Sequence, residues 1–166
     1  MWWILGVIVI TIGLVYTLKK PKESTMASRL EGLESDIESL RLPVINYLEG
    51  CKKRLETRLN NFSENKNRLR IVTREDMVKA IHLYEDDLSL DEKYKQLSEK
   101  LKNNLEKRIE LAMSYYNFLF LIDNWRKDNA NLGANILDKD GSPSYSAVTK
   151  LQEIRDYFNS LLKSSV

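Results

Sequence analysis

LEGLESDIESLRLPVINYLEGC, residues 30–51, decides the fold. Its apolar residues Leu30, Leu33, Ile37, Leu40, Val44, Tyr47 and Cys51 fall at alternating spacings of three and four. That is the heptad stripe of a helix packed lengthwise on other helices. The stripe slips by one position and continues through Leu48, Leu55, Phe62 and Leu69. Pro43 falls inside it. Proline lacks the amide donor and clashes with the preceding turn, so a kink or break is expected near Leu42, or a new first turn at Pro43.

Downstream the pattern stays helical. Thr73 followed by Arg74, Glu75 and Asp76 has the form of a capping box, which opens a second helix with Met77, Ile81, Tyr84 and Leu88 on its apolar face. Ser89 to Glu92 repeats that signature and is read as the start of the longest helix, lined by Leu90, Tyr94, Leu97, Leu101, Leu105, Ile109, Ala112, Tyr116, Leu119 and Ile122. Asn129 to Gly141 reads as a loop, and Ser142 before Pro143 starts a last helix with Val148, Leu151, Ile154, Phe158 and Leu161 inward. Strand alternation and internal repeats are missing. The expected fold is all-α, an elongated antiparallel helical bundle with coiled-coil-like packing.

Upstream lies a segment of a different kind. Trp2 to Leu18 carries no charge and is followed by Lys19, Lys20, Pro21 and Lys22. As a helix it covers about 25 Å, against a hydrocarbon core of roughly 30 Å. Trp2 and Trp3 suit one headgroup level and Tyr16 the other, with Lys19, Lys20 and Lys22 snorkelling outward. A cleaved signal peptide, with Thr25-Met26-Ala27 as its small-residue site, would carry its positive charge before the apolar stretch rather than after it. The segment therefore reads as a single-pass anchor. The lysines put the N-terminus outside and the C-terminal bulk in the cytoplasm. The division is an anchor at 2–18, a basic and polar linker at 19–28 and a helical bundle at 29–166.

The whole chain is +2 over 166 residues. The three flanking lysines account for that excess and leave residues 23–166 at −1, too balanced for a nucleic-acid surface. Cys51 is the sole cysteine, so an internal disulfide and a thiolate metal cluster are both excluded.

Glu106-Lys107-Arg108-Ile109, then Ala112, then Tyr115-Tyr116-Asn117 resembles the late-helix signature of LemA family proteins. Tyr94, Gln96-Leu97 and Leu101 are similar to the approach to that signature, and Ser35-Asp36-Ile37 matches the Ser-Asp-Ile that follows the family's anchor. Pro43 stands where the family has a proline. The family's preceding tryptophan is Glu34 here, the basic pair before the proline is reduced to Arg41, and its following asparagine is Val44. The resemblance implies a bacterial inner-membrane protein with a long-helix cytoplasmic domain and no established catalysis.

Sites of chemistry are few. His82, the one histidine, has Glu85 and Asp86 at helical spacing, but a solvated acidic turn explains the trio as well as a metal does, and a di-iron pattern needs a second histidine. Asp138-Lys139-Asp140-Gly141 resembles the centre of a calcium loop, yet Ile136 and Ala147 occupy the two essential ligand places, so it reads as a turn. Cys51 sits on the apolar stripe as a small buried hydrophobe. A set of acid, base and nucleophile cannot be assembled, and neither a cofactor nor a metal is expected.

One stretch stands out. Tyr115 to Trp125 is apolar around nearly the whole helix circumference, whereas a bundle helix needs a single stripe. Tyr115, Phe118, Phe120, Leu121 and Trp125 are therefore candidates for a partner-binding face, with a wide central core as the other explanation. The expected function is a non-catalytic membrane-anchored scaffold or assembly factor acting through helix-mediated contacts. Its partners would be membrane lipid at the anchor, other membrane or cytoplasmic proteins, or copies of itself. The alternative is an accessory subunit of a larger membrane complex of the respiratory, secretion or phage-lysis type.

Overall fold

A computed structural model describes the backbone of residues 2–62, 73–132 and 145–164, and the side chains of 25–62, 73–128 and 149–164. Among these described residues are four helices: α1 (Trp2–Asn60), α2 (Arg74–Lys100), α3 (Leu105–Leu132) and α4 (Tyr145–Ser164). Every element among the described residues is helical, so the chain is all-α. Trp2 to Leu18 forms the first part of α1, but its side chains, with those of Lys19, Lys20 and Lys22, lie outside the described residues. Among the described residues, no helix is long and apolar enough to cross a membrane.

The heptad stripe behaves as its spacing demands. Leu30, Ile37, Val44 and Cys51, seven residues apart, are buried, while Leu33, Leu40 and Tyr47 between them are half-buried. Leu48 and Leu55 of the slipped stripe are buried too; Phe62 at its end is exposed, and Leu69 lies outside the described residues. The linker at 19–28 is continuous helix. Pro43 does not break α1 either. It removes the donor to the carbonyl of residue 39, but Ser39 is on the exposed side, where a carbonyl can tilt out to water.

At the start of α2 the capping box is complete. The Asp76 amide donates to Thr73 Oγ1 at 3.1 Å and the Thr73 amide donates to Asp76 Oδ2 at 3.1 Å. The second box signature does not open a helix. Ser89 lies inside α2 and its hydroxyl donates to the Asp86 carbonyl at 2.6 Å, so it satisfies a helical acceptor instead of capping. The break falls at residues 101–104, where Asn104 Oδ1 accepts from the Lys107 amide at 3.1 Å and caps α3. One long expected helix is therefore two, joined by a tight turn. Asn129 to Leu132 continues α3, while the rest of the expected loop, with Ser142 and Pro143, lies outside the described residues, as does the Val148 side chain.

Pairs between helices set the directions. Lys52 meets Glu85 and Arg41 meets Asp91, so α1 and α2 run antiparallel. Tyr115 stacks on Tyr94 with ring centroids 4.4 Å apart, across the turn at 101–104, so α2 and α3 are antiparallel and α3 runs parallel to α1. The α4 helix packs on α2 and α3, and among the described residues none of its Cα atoms comes within 8 Å of one in α1. One core links all four helices; Val44, Leu97, Leu111, Tyr115, Phe118 and Phe158 are among its most enclosed members. A small separate cluster of Leu55, Met77 and Ile81 joins α1 and α2 near the start of α2.

Candidate functional site

The Tyr115–Trp125 stretch of α3 is divided by the fold into inner and outer residues. Tyr115, Phe118, Leu119 and Ile122 are buried, and Leu121 and Trp125 are half-buried against the same core. Tyr115 and Phe118 therefore leave the candidate partner face: α3 is wrapped by three neighbouring helices, and these two rings fill the space between them. Phe120 remains outside at 45% exposure. Its ring stacks on half-buried Tyr116 at 5.9 Å, and exposed Met113 lies one turn back from Tyr116, giving an outward apolar row with a sulfur at one end. Met113 Sδ also accepts from Arg29 Nη2 at 3.2 Å, which ties this row to the flank of α1.

Behind the row sits a polar cluster. Tyr115 Oη donates to Asp91 Oδ1 at 2.7 Å, Lys95 Nζ lies 2.7 Å from Asp91 Oδ2, and Arg41 Nε lies 3.1 Å from Asp91 Oδ1. Burial alone would raise the Asp91 carboxyl, but the bonds from Lys95 and Tyr115 and the charge of Arg41 outweigh it, and the group is held below the ordinary carboxylate range. Burial and the bond to Asp91 push the Tyr115 phenol up, so it stays protonated as a donor. Beside the cluster, Glu34, Ile37, Glu38, Arg41, Tyr94 and Lys95 help to line an open groove of about 280 Å³ between α1 and α2. Its charges are engaged with one another: Arg41 also bonds Glu38, and Glu34 takes Arg108 Nη2 at 2.6 Å. The groove is a structural seam joining three helices rather than a set of free catalytic groups.

One turn earlier on α2, Asp87 is buried and meets Arg155 of α4, with Nε at 2.9 Å. Burial is the largest influence and raises its carboxyl, against which Arg155 pulls down. Asp123 is also covered, but by Arg126 and Lys127 of its own helix at 2.8 and 2.6 Å; burial raises its carboxyl and their bonds and charges more than offset that, leaving it lowered.

Cys51 is buried, with Arg54 Nη2 at 3.0 Å from its sulfur, and burial pushes its thiol up, away from the reactive thiolate. His82 Nδ1 lies 3.1 Å from Glu85 Oε2 on an exposed face, and that carboxylate also meets Lys52 at 3.0 Å. Lys52 is the stronger influence in holding Glu85 below its ordinary range, so the acid expected beside the histidine is already paired with a lysine. Among the described residues there is no group of three metal-ligating side chains. Asp138 to Gly141 lies outside the described residues.

Asp87, Asp91, Asp123 and Arg155 were not singled out in the sequence. An acid embedded in an apolar run, as Asp123 is between Ile122 and Trp125, was the signal that could have found one of them. No protein-family profile, curated protein or solved structure matches this chain.

Proposed function

We propose that the chain is a membrane-anchored helical scaffold whose bundle docks other helices through the outer row of α3. The observation that carries this reading is Phe120, a large ring left 45% exposed, stacked on Tyr116 and flanked by Met113. Large aromatics in a row on one helix face, beside a methionine that can adapt its shape, are the composition of a helix-docking surface.

The apolar segment Trp2 to Leu18 with its trailing lysines is the membrane attachment in this reading, with the bundle on the cytoplasmic side of a bacterial inner membrane. Because α3 runs parallel to α1, Phe120 lies level with about residue 46 of α1, going by the Glu34–Arg108 pair and by Arg41 and Tyr115 meeting on Asp91. Along a helix that is roughly 40 Å beyond Leu18. At that height the row meets proteins and not lipid. The anchor then acts by raising the local concentration of bundles and partners on one surface. The layout is also that of the LemA proteins which Ser35 to Ile37 and Glu106 to Asn117 resemble, and the Glu34–Arg108 pair brings those two segments side by side.

A photo-crosslinking residue placed at position 120 of the full-length protein in its native membrane tests the reading. Position 120 should trap a second polypeptide, while the same residue at buried position 118 should cross-link only within the chain. Equal, background-level trapping at both positions would defeat it.

A further inference from the structure

We propose that the groove on α2 and α3 beneath α4 is an exchangeable docking site, and that its second occupant is α4 from another copy of this chain. Three features of α4 support exchange. Its backbone packs on α2 and α3 and stands off from α1, the helix with the most extensive packing, with no Cα pair within 8 Å among the described residues. Its apolar residues Leu151, Ile154 and Phe158 form one continuous face, so the helix carries its whole docking surface with it. Twelve positions separate Leu132 from Tyr145, a chain length of up to about 40 Å at full extension.

The site is built for this helix in one register. Phe158 meets Tyr115 edge-on at 6.3 Å, and one turn away Arg155 meets buried Asp87. A buried ion pair adds little net stability because both partners lose their water, but it penalises any occupant that fails to bring a guanidinium to that spot. Asp87 thus selects α4-like helices without holding its own α4 more firmly than a copy's. With two chains on one membrane, the same groove and the same helix can pair within a chain or between chains at equal contact energy, which is the condition for domain swapping. The proposal deepens the scaffold reading by naming a partner and a site, and it lies on the opposite side of α3 from Phe120, so the two can fail separately: cross-links at position 120 decide the first, the following titration the second.

A fluorescent peptide of residues 145–164 is titrated into the full-length protein in mild detergent, wild type and Arg155→Ala. In the variant the chain's own α4 leaves Asp87 unpaired, and the peptide supplies the missing guanidinium. It should bind the variant at least about tenfold more tightly than the wild type. The same peptide carrying Arg155→Ala should show no such gain. Hydrogen exchange should find α4 loosened in the variant while slow amides persist in α1 and α3. Equal peptide binding to both proteins would overturn the proposal, and so would loss of slow amides throughout the variant, since α4 would then be inseparable from the core. An Asp87→Asn chain, which keeps the side-chain shape, should accept both peptides alike; preference for the arginine peptide there would also overturn it.

Discussion

Asp87 and Asp91 lie one turn apart on α2, both mostly buried and both facing an arginine, yet their carboxyls are displaced in opposite directions. Asp91 receives Tyr115, Lys95 and Arg41, from three helices, and sits below its ordinary range. Asp87 is more enclosed, meets Arg155 from one helix, and sits above it. The difference is the number of donors set against the cost of dehydration. It separates a frame of α1, α2 and α3, knitted by a well-satisfied acid, from an α4 held by apolar packing and a selective pair.

The widest separation between the two regions should come from removing the arginines. Arg155→Ala leaves Asp87 buried and alone and should cost about 3–5 kcal/mol by denaturant titration. Arg41→Ala leaves Asp91 with Lys95 and Tyr115 and should cost well under half of that. Similar losses would erase the distinction. Replacing Asp87 and Arg155 together by methionine should be neutral or stabilising by about 1–4 kcal/mol, because nothing charged remains to dehydrate. A large loss in the double variant would mean that the pair itself holds α4. Next in size is Tyr115→Phe, which deletes one charge-assisted hydrogen bond while keeping the ring between Tyr94 and Phe158; roughly 1.5 kcal/mol is expected.

Acid should sharpen the contrast further. Asp91 and Asp123 are lowered, so they bind fewer protons folded than unfolded; their stabilisation is present above a pH of about 4 and is lost as the pH falls through their folded values. Asp87 is raised and has the opposite sign: its contribution is full below about pH 4 and is lost as the pH rises through its folded value. Asp87→Asn removes that opposing slope, so the variant should lose stability more steeply than the wild type as the pH is lowered towards about 4 in denaturation series. Unchanged slopes would contradict the assignment. Smallest of all, Phe120→Ser should change stability by no more than about 0.5 kcal/mol, since the ring is on the surface, while abolishing partner capture.

The heptad spacing from Leu30 to Cys51 and the Thr73 capping box were legible in sequence because both are local, and both appear in the fold as spaced. The Ser89 signature misled for the same reason. A capping box is a four-residue pattern, and the continuing apolar positions Leu90, Tyr94 and Leu97 kept α2 helical through it. The cap that does operate, Asn104, stood four residues beyond the last residue of α2, between Leu101 and Leu105, which carry the apolar spacing across the break. Pro43 was over-weighted, because its cost depends on whether water can reach the carbonyl four residues back. The apolar excess of Tyr115 to Trp125 was visible, but its division into core and outer row depends on where α1, α2 and α4 lie. Asp87 with Arg155 was invisible in principle, since 68 residues separate the pair and neither has a local pattern.

In the proposed scaffold the bundle is a docking device on a membrane. Full-length protein extracted in mild detergent from its native membrane, sized under native conditions and identified by mass spectrometry, tests that directly. A membrane-fraction species that holds a second polypeptide at fixed stoichiometry is expected, and Phe120→Ser should release that polypeptide while leaving copies joined through α4 together. A monomer recovered from the soluble fraction, unchanged by that substitution, would contradict it.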